Sequence, residues 1–191
     1  MKIKSFRERF EDNYKAISVP ANNKKGFKIR YVYYKPWHIW DLSHRDIKIK
    51  KRLIGSLFLF SLLFFIISSA QYTKINFDRV VGIATMLSVC ALLFEALGVI
   101  QFCVSKNRTT EHNYFDTTRK IMFATILHAS LLLIAAAGSI TCMMTNGFSV
   151  SGTMVTCGYC VSAALAIVLR AQYRSIPLRT EANTYPTGSC G

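Results

Sequence analysis

The sequence predicts an all-α integral membrane protein, a four-transmembrane-helix bundle with an N-terminal cytosolic amphipathic and interfacial segment. Two observations carry that expectation. Four apolar stretches, about 53–71, 80–104, 121–144 and 150–169, each reach the length at which a nearly uncharged run spans a bilayer as a helix. The Lys and Arg residues are also divided unequally among the segments that join them. Residues 1–52 hold 15 of the 24, the 105–120 loop holds 4 and the chain after Leu169 holds 3. Only Lys74 and Arg79 remain, both in the first loop of the other side. Because loops rich in Lys and Arg stay in the cytosol, both termini are expected there, in a multi-pass protein of the cell membrane.

The formal charge of +14 then has a source: a basic face beside anionic headgroups. Topology explains that charge without nucleic acid, which is not expected as a partner. The apolar runs lack the period-two alternation of an outer-membrane barrel. Residues 1–16 hold eight charges and no apolar core, so no cleavable signal peptide is expected and the first span directs insertion. Usage of Lys, Ile, Asn and Phe is that of a low-GC bacterium. Three regions follow: a basic juxtamembrane segment, 1–52; the bundle, 53–169; and a flexible cytosolic tail, 170–191.

Along the chain, Ile3, Phe6, Phe10, Tyr14 and Ile17 recur at spacings of three and four, which predicts an amphipathic helix over 1–18. Val19-Pro20-Ala21-Asn22-Asn23 ends it. Phe27–Tyr34 alternates, with Lys28 and Arg30 opposite Phe27, Ile29, Tyr31 and Tyr33, and reads as a strand that must find a partner. Tyr33, Tyr34, Trp37 and Trp40 fall about a dozen residues before the first span and suit the headgroup zone, as an interfacial elbow. Ser43 and Asp46 have the spacing of a capping box, opening a helix that runs through Lys48, Lys50, Lys51 and Arg52 into the first span. The third and fourth spans carry small-residue ladders, Ala135-x-x-x-Ser139 and Gly158-x-x-x-Ser162-x-x-x-Ala166, expected to serve packing within the chain. Ser175–Gly191, polar and with two prolines, is expected to be disordered.

Two constellations bear chemistry. Glu95 lies inside the second apolar run and His128 inside the third. At 1.5 Å per residue they fall roughly 14 and 10 Å from the same side, so they can meet. Charged groups at such depth face a partner or a cavity. The pair can be a hydrogen bond that sets helix register, or a proton- or cation-handling site, with Ser88, Thr85 and Thr125 nearby. The second constellation is Cys157-Gly158-Tyr159-Cys160, at the outer start of the fourth span. Two thiols at that spacing can form a reducible disulfide, or can simply be small buried side chains. The motif resembles the CxxC of the vitamin K epoxide reductase family, which would imply a four-helix core and electron exchange with a quinone. That family's cysteine pair in the first outer loop has no counterpart in the loop around 71–79.

His38, His44 and His112 lie in inner segments without metal-ligand spacing, and no metal or other cofactor is expected. No phosphate-cradling glycine loop or nucleophile elbow is present. These readings point away from an enzyme. They favour a non-enzymatic scaffold or subunit of a membrane complex, with a protein partner or a second copy of itself, whose basic aromatic N-terminal segment meets a cytosolic partner or the inner leaflet. The alternatives are a small proton- or cation-coupled transporter or sensor using Glu95 and His128, and a thiol–disulfide redox protein using Cys157 and Cys160.

Overall fold

The computed structural model describes residues 13–21 and 26–182. Four long helices dominate: α1 (His44–Ser69), α2 (Arg79–Val104), α3 (Glu111–Asn146) and α4 (Val150–Arg174). All four are long and apolar enough to cross a membrane. Each helix packs on the next in sequence, and α1 closes the ring on α4. The helices outrun the apolar stretches at one end. α1 starts nine residues before Leu53, α3 starts at Glu111 rather than near Ile121, and α4 runs five residues past Leu169. Charged turns therefore extend the apolar stretches at the end that carries most of the Lys and Arg, the basic end.

Helix starts follow from capping chemistry. The Ser43 hydroxyl accepts from the Asp46 N–H at 3.1 Å and donates to the Asp46 carboxylate at 2.7 Å. This satisfies one of the orphan amides that every helix start exposes. Asp78, Thr110 and Ser149 likewise cap α2, α3 and α4 with side-chain oxygens.

The ring closes through small residues. A methyl group on Gly158 would overlap the Ser68 hydroxyl of α1, and one on Gly98 would lie 2.8 Å from the Ile121 side chain of α3. Absence of side chains at these two points sets how closely α1 approaches α4 and α2 approaches α3. Ser162 and Ala166 of the α4 ladder are buried, as are Ala135 and Ser139 of α3. The ladders therefore pack inside the chain.

The fold is not all-α. Among the described residues five strands occupy the basic end: β1 (Tyr14–Pro20), β2 (Phe27–Tyr33), β3 (Trp37–Trp40), β4 (Arg108–Thr110) and β5 (Leu178–Glu181). β1 and β2 form an antiparallel ribbon in which Tyr14 faces Tyr33 and Pro20 faces Phe27. β3 is the centre of a second sheet, with β4 on one side and β5 on the other. Two expectations are corrected by this. Tyr14 and Ile17 lie in a strand, not on a helix face; residues 1–12 of the expected amphipathic helix lie outside the described residues. Trp37–Trp40, expected as an interfacial elbow, is a strand paired on both sides. Leu178–Glu181 of the expected disordered tail is a strand, and residues 183–191 lie outside the described residues. The strand expected from Phe27 is present, and β1 is its partner.

Candidate functional site

The basic end is built by convergence. β3 comes from the N-terminal segment, β4 from the α2–α3 connection and β5 from the chain after α4, so three distant segments share one small sheet. Strand alternation puts His38 and Trp40 on the side facing the helices. Trp40 is 4% exposed and meets Phe102, Tyr114 and Tyr173 at ring-centroid distances of 5.4, 5.5 and 6.0 Å. His38 stacks on Tyr114 at 4.8 Å. This aromatic plug caps the basic end of the bundle.

Tyr33 anchors the ribbon to the same end. Its hydroxyl accepts from the Glu111 N–H at 3.0 Å and donates to the Pro36 carbonyl at 3.2 Å. Burial pushes its phenol above the ordinary range, and the hydrogen bond from Glu111 opposes that shift. Lys35 pairs with Glu111 at 3.2 Å, and Tyr34 carries the Lys15 ammonium 4.9 Å above its ring.

The four cations of the 48–52 stretch divide into two roles. Lys50 donates to Gln172 Oε1 at 2.8 Å and to Ser175 Oγ at 3.3 Å, clasping α1 to the end of α4. Lys51 donates to the Ser105 carbonyl at the end of α2. Lys48 and Arg52 are exposed. So only two of the four point outward; the other two close the helix ring from its first turns.

Deep in the bundle, Glu95 of α2 and His128 of α3 meet as their positions imply. His128 Nδ1 and Glu95 Oε2 are 2.7 Å apart, and both side chains are 0% exposed. Phe65 of α1 presents an edge-on ring 6.1 Å from the imidazole. Glu95 Oε1, His128 Nε2 and the Ser88 hydroxyl, all buried, have no hydrogen-bond partner among the described residues. Thr125 and Thr85 do not extend this polar cluster. Their hydroxyls bond backward to carbonyls of their own helices, Ile121 for Thr125 and both Val81 and Gly82 for Thr85.

The CxxC motif divides across α4. Gly158 and Tyr159 are buried against the bundle, while Cys157 and Cys160 are exposed on the outward side with free thiols. Helical spacing explains the division, because positions three apart share a face. Tyr159 donates from its hydroxyl to Asn76 Oδ1 at 2.9 Å, and Asn76 in turn donates to the Ser68 and Gln71 carbonyls. Cys157 also lies two turns past the Ser149 cap, beyond the reach of the helix-start field. Among the described residues no three His, Cys, Asp or Glu side chains converge.

A cleft of about 350 Å³ opens at the basic end, lined by Trp37, Trp40, Gln101, Lys106, Arg108 and Asn113 among others. Sequence reasoning missed Lys106, Arg108 and Asn113 as site residues. They become neighbours of the two tryptophans only through the pairing of β3 with β4. Comparison with protein-family models, with curated proteins and with solved structures finds no match.

Proposed function

We propose that this chain is a multi-pass membrane protein with its basic end in the cytosol, acting as a non-enzymatic scaffold or subunit that recruits an acidic protein partner through the β1–β2 ribbon. The observation that supports this best is the composition of one ribbon face. Its cross-strand pairs are Lys15 with Val32, Ile17 with Arg30 and Val19 with Lys28, so every pair sets a cation beside an aliphatic side chain. No acidic residue interrupts it. Lys15, Ile17, Val19, Lys28 and Arg30 are exposed. Such a face suits an acidic surface with apolar contacts at its centre. The fixed anchoring of the ribbon through Tyr33 and β3 supports a recognition element rather than a loose leader.

The test is gentle co-purification of the full chain from native membranes, beside the K15E/K28E/R30E variant. A partner retained by the wild type and lost from the variant, with the bundle's melting temperature unchanged, supports the proposal. If both retain it, or neither does, the ribbon is not the recruiting face. If the variant instead loses only its enrichment in anionic lipid, the ribbon contacts the inner leaflet. Orientation is read separately, from protease access to an N-terminal tag in inverted vesicles.

A second reading is favoured by the 2.7 Å contact of two fully buried ionisable groups. In it, Glu95 and His128 carry a proton or cation in a small coupled transporter or sensor. It requires proton-coupled flux in liposomes that E95Q abolishes while the protein still folds. Absence of flux from the wild type removes it. The cleft at the basic end is not lined by either residue.

A further inference from the structure

We infer that the cleft between β3, β4 and the α2–α3 connection is a binding site for the phosphate-bearing headgroup of an anionic phospholipid. The inference rests on the reading that the four helices cross a membrane. It is independent of the ribbon and of any protein partner.

Four observations converge on it. The first is position. The cleft includes Val104 and Ser105, where α2 ends, and Thr110, which caps α3. It therefore sits where two apolar helices give way to polar chain, at headgroup depth. The second is charge. Lys106 and Arg108 line it, both exposed. Three acids of the described residues at this end are already engaged: Glu111 with Lys35 at 3.2 Å, Asp116 with Lys120 at 2.6 Å, and Glu181 with Arg108 at 3.7 Å. The last of these is a half-exposed pair of little strength, which an incoming phosphate can displace.

The third observation is an orphan donor. Trp40 lines the cleft, is 4% exposed, and its Nε1–H finds no acceptor among the described residues. An indole nitrogen can only donate, and a buried donor without a partner is costly. The nitrogen itself is covered, so a headgroup oxygen meets it once the indole turns toward the cleft. The fourth is the mixed lining. Trp37 lies beneath the Arg108 guanidinium, 4.6 Å from it, and Val104 is exposed at the helix end. Cations and donors thus adjoin an apolar flank, as a lipid with a charged head and apolar tails needs, and as a free anion does not. Side chains of this kind at helix ends on the cytosolic side are a recurring means of holding acidic lipids.

The chain has two tryptophans and both line the cleft, so intrinsic tryptophan emission reads the site directly. The experiment titrates the full chain in neutral detergent with dihexanoyl phosphatidylglycerol, dihexanoyl phosphatidylcholine or inorganic phosphate. The expected result is a saturable emission change with phosphatidylglycerol alone. The K106A/R108A variant should bind roughly tenfold or more weakly at an unchanged melting temperature, since both side chains are exposed. Should the double variant fold poorly, K106A alone must show a weaker loss in the same direction. An equal response to phosphatidylcholine, an equal response to inorganic phosphate, or unchanged affinity in the folded variants overturns the inference. The titration does not depend on which way the protein faces in a cell, so its failure leaves the ribbon proposal and the topology untouched.

Discussion

Ser61 of α1 and Ser162 of α4 exchange hydrogen bonds across the helix seam. The Ser61 hydroxyl donates to the Ser162 carbonyl at 3.1 Å, the Ser162 hydroxyl donates to the Ser61 carbonyl at 2.9 Å, and the two hydroxyl oxygens lie 3.0 Å apart. Both residues are buried. The pair joins helices 101 positions apart in sequence and completes the ring that α1 closes on α4. Interhelical hydrogen bonds inside membranes average about 0.6 kcal/mol and reach about 1.7. S61A and S162A should each cost an amount in that range, read as denaturant unfolding in detergent. Because each hydroxyl lies within reach of the other, the double variant should lose less than the sum of the two. Strict additivity would show that the two bonds act independently.

One turn before Ser162 on α4, Gly158 meets Ser68 of α1, and here the constraint is steric. A Cβ at 158 would overlap the Ser68 hydroxyl and lie 3.1 Å from the Ser68 Cβ. G158A can be accommodated by turning the hydroxyl away, and should be mild. G158V adds two further methyl groups where the helices touch, and overpacking of this kind costs about 1–3 kcal/mol. S68G combined with G158A should restore wild-type stability. If G158V melts at the wild-type temperature, the close approach of α1 to α4 is wrong.

Tyr33 ties the ribbon to the start of α3 with one accepted and one donated hydrogen bond. Y33F keeps the ring, which packs 4.8 Å from Trp37, and strips both bonds. The expected cost is about 1–3 kcal/mol, confined to the basic end. Amide exchange should quicken in β2 and the first turn of α3, and stay unchanged in the middle of α2. The pH dependence has a definite sign. Burial raises the folded-state pKa above the unfolded value of about 10, so the phenol's contribution is complete below that value and lost as pH rises through the folded pKa. The stability gap between wild type and Y33F should therefore narrow above pH ~10.

Local signals made much of this legible. The four apolar runs located the helices, and Ser43 with Asp46 located the start of α1, because span length and capping depend on residues close in sequence. Phe27–Tyr33 alternates strongly enough to read as a strand. Its partner does not: Tyr14, Ile17 and the residues between them fit a helical period as well, and pairing with β2 decides the matter. The second sheet was hidden for a plainer reason. Arg108–Thr110 and Leu178–Glu181 are three and four residues long and become strands only by joining Trp37–Trp40 from far along the chain. The same non-local pairing creates the cleft, so its cations could not be assigned to the tryptophans from sequence. Glu95 and His128 were legible because helix rise converts sequence position directly into depth.

That buried pair makes the sharpest stability prediction. Removing one partner leaves the other alone in an apolar interior, which costs about 3–5 kcal/mol for a buried ion pair, whereas replacing both with apolar side chains of similar volume is often neutral or stabilising. H128A should therefore be severely destabilising, because Glu95 Oε2 loses its contact and Oε1 already has none among the described residues. E95Q should be mild, since a side-chain amide can accept from an Nδ1–H through its oxygen or donate to a bare Nδ1 through its nitrogen. E95M combined with H128L should be at least as stable as wild type, with Phe65 packing on the new side chain in place of the imidazole. Unfolding of the four proteins in one detergent gives the order directly. A double variant that keeps full stability while the cell loses the protein's activity would separate function from fold: the pair would then be retained for what its proton does. A double variant that unfolds as badly as H128A would show instead that the hydrogen bond fixes how α2 sits on α3.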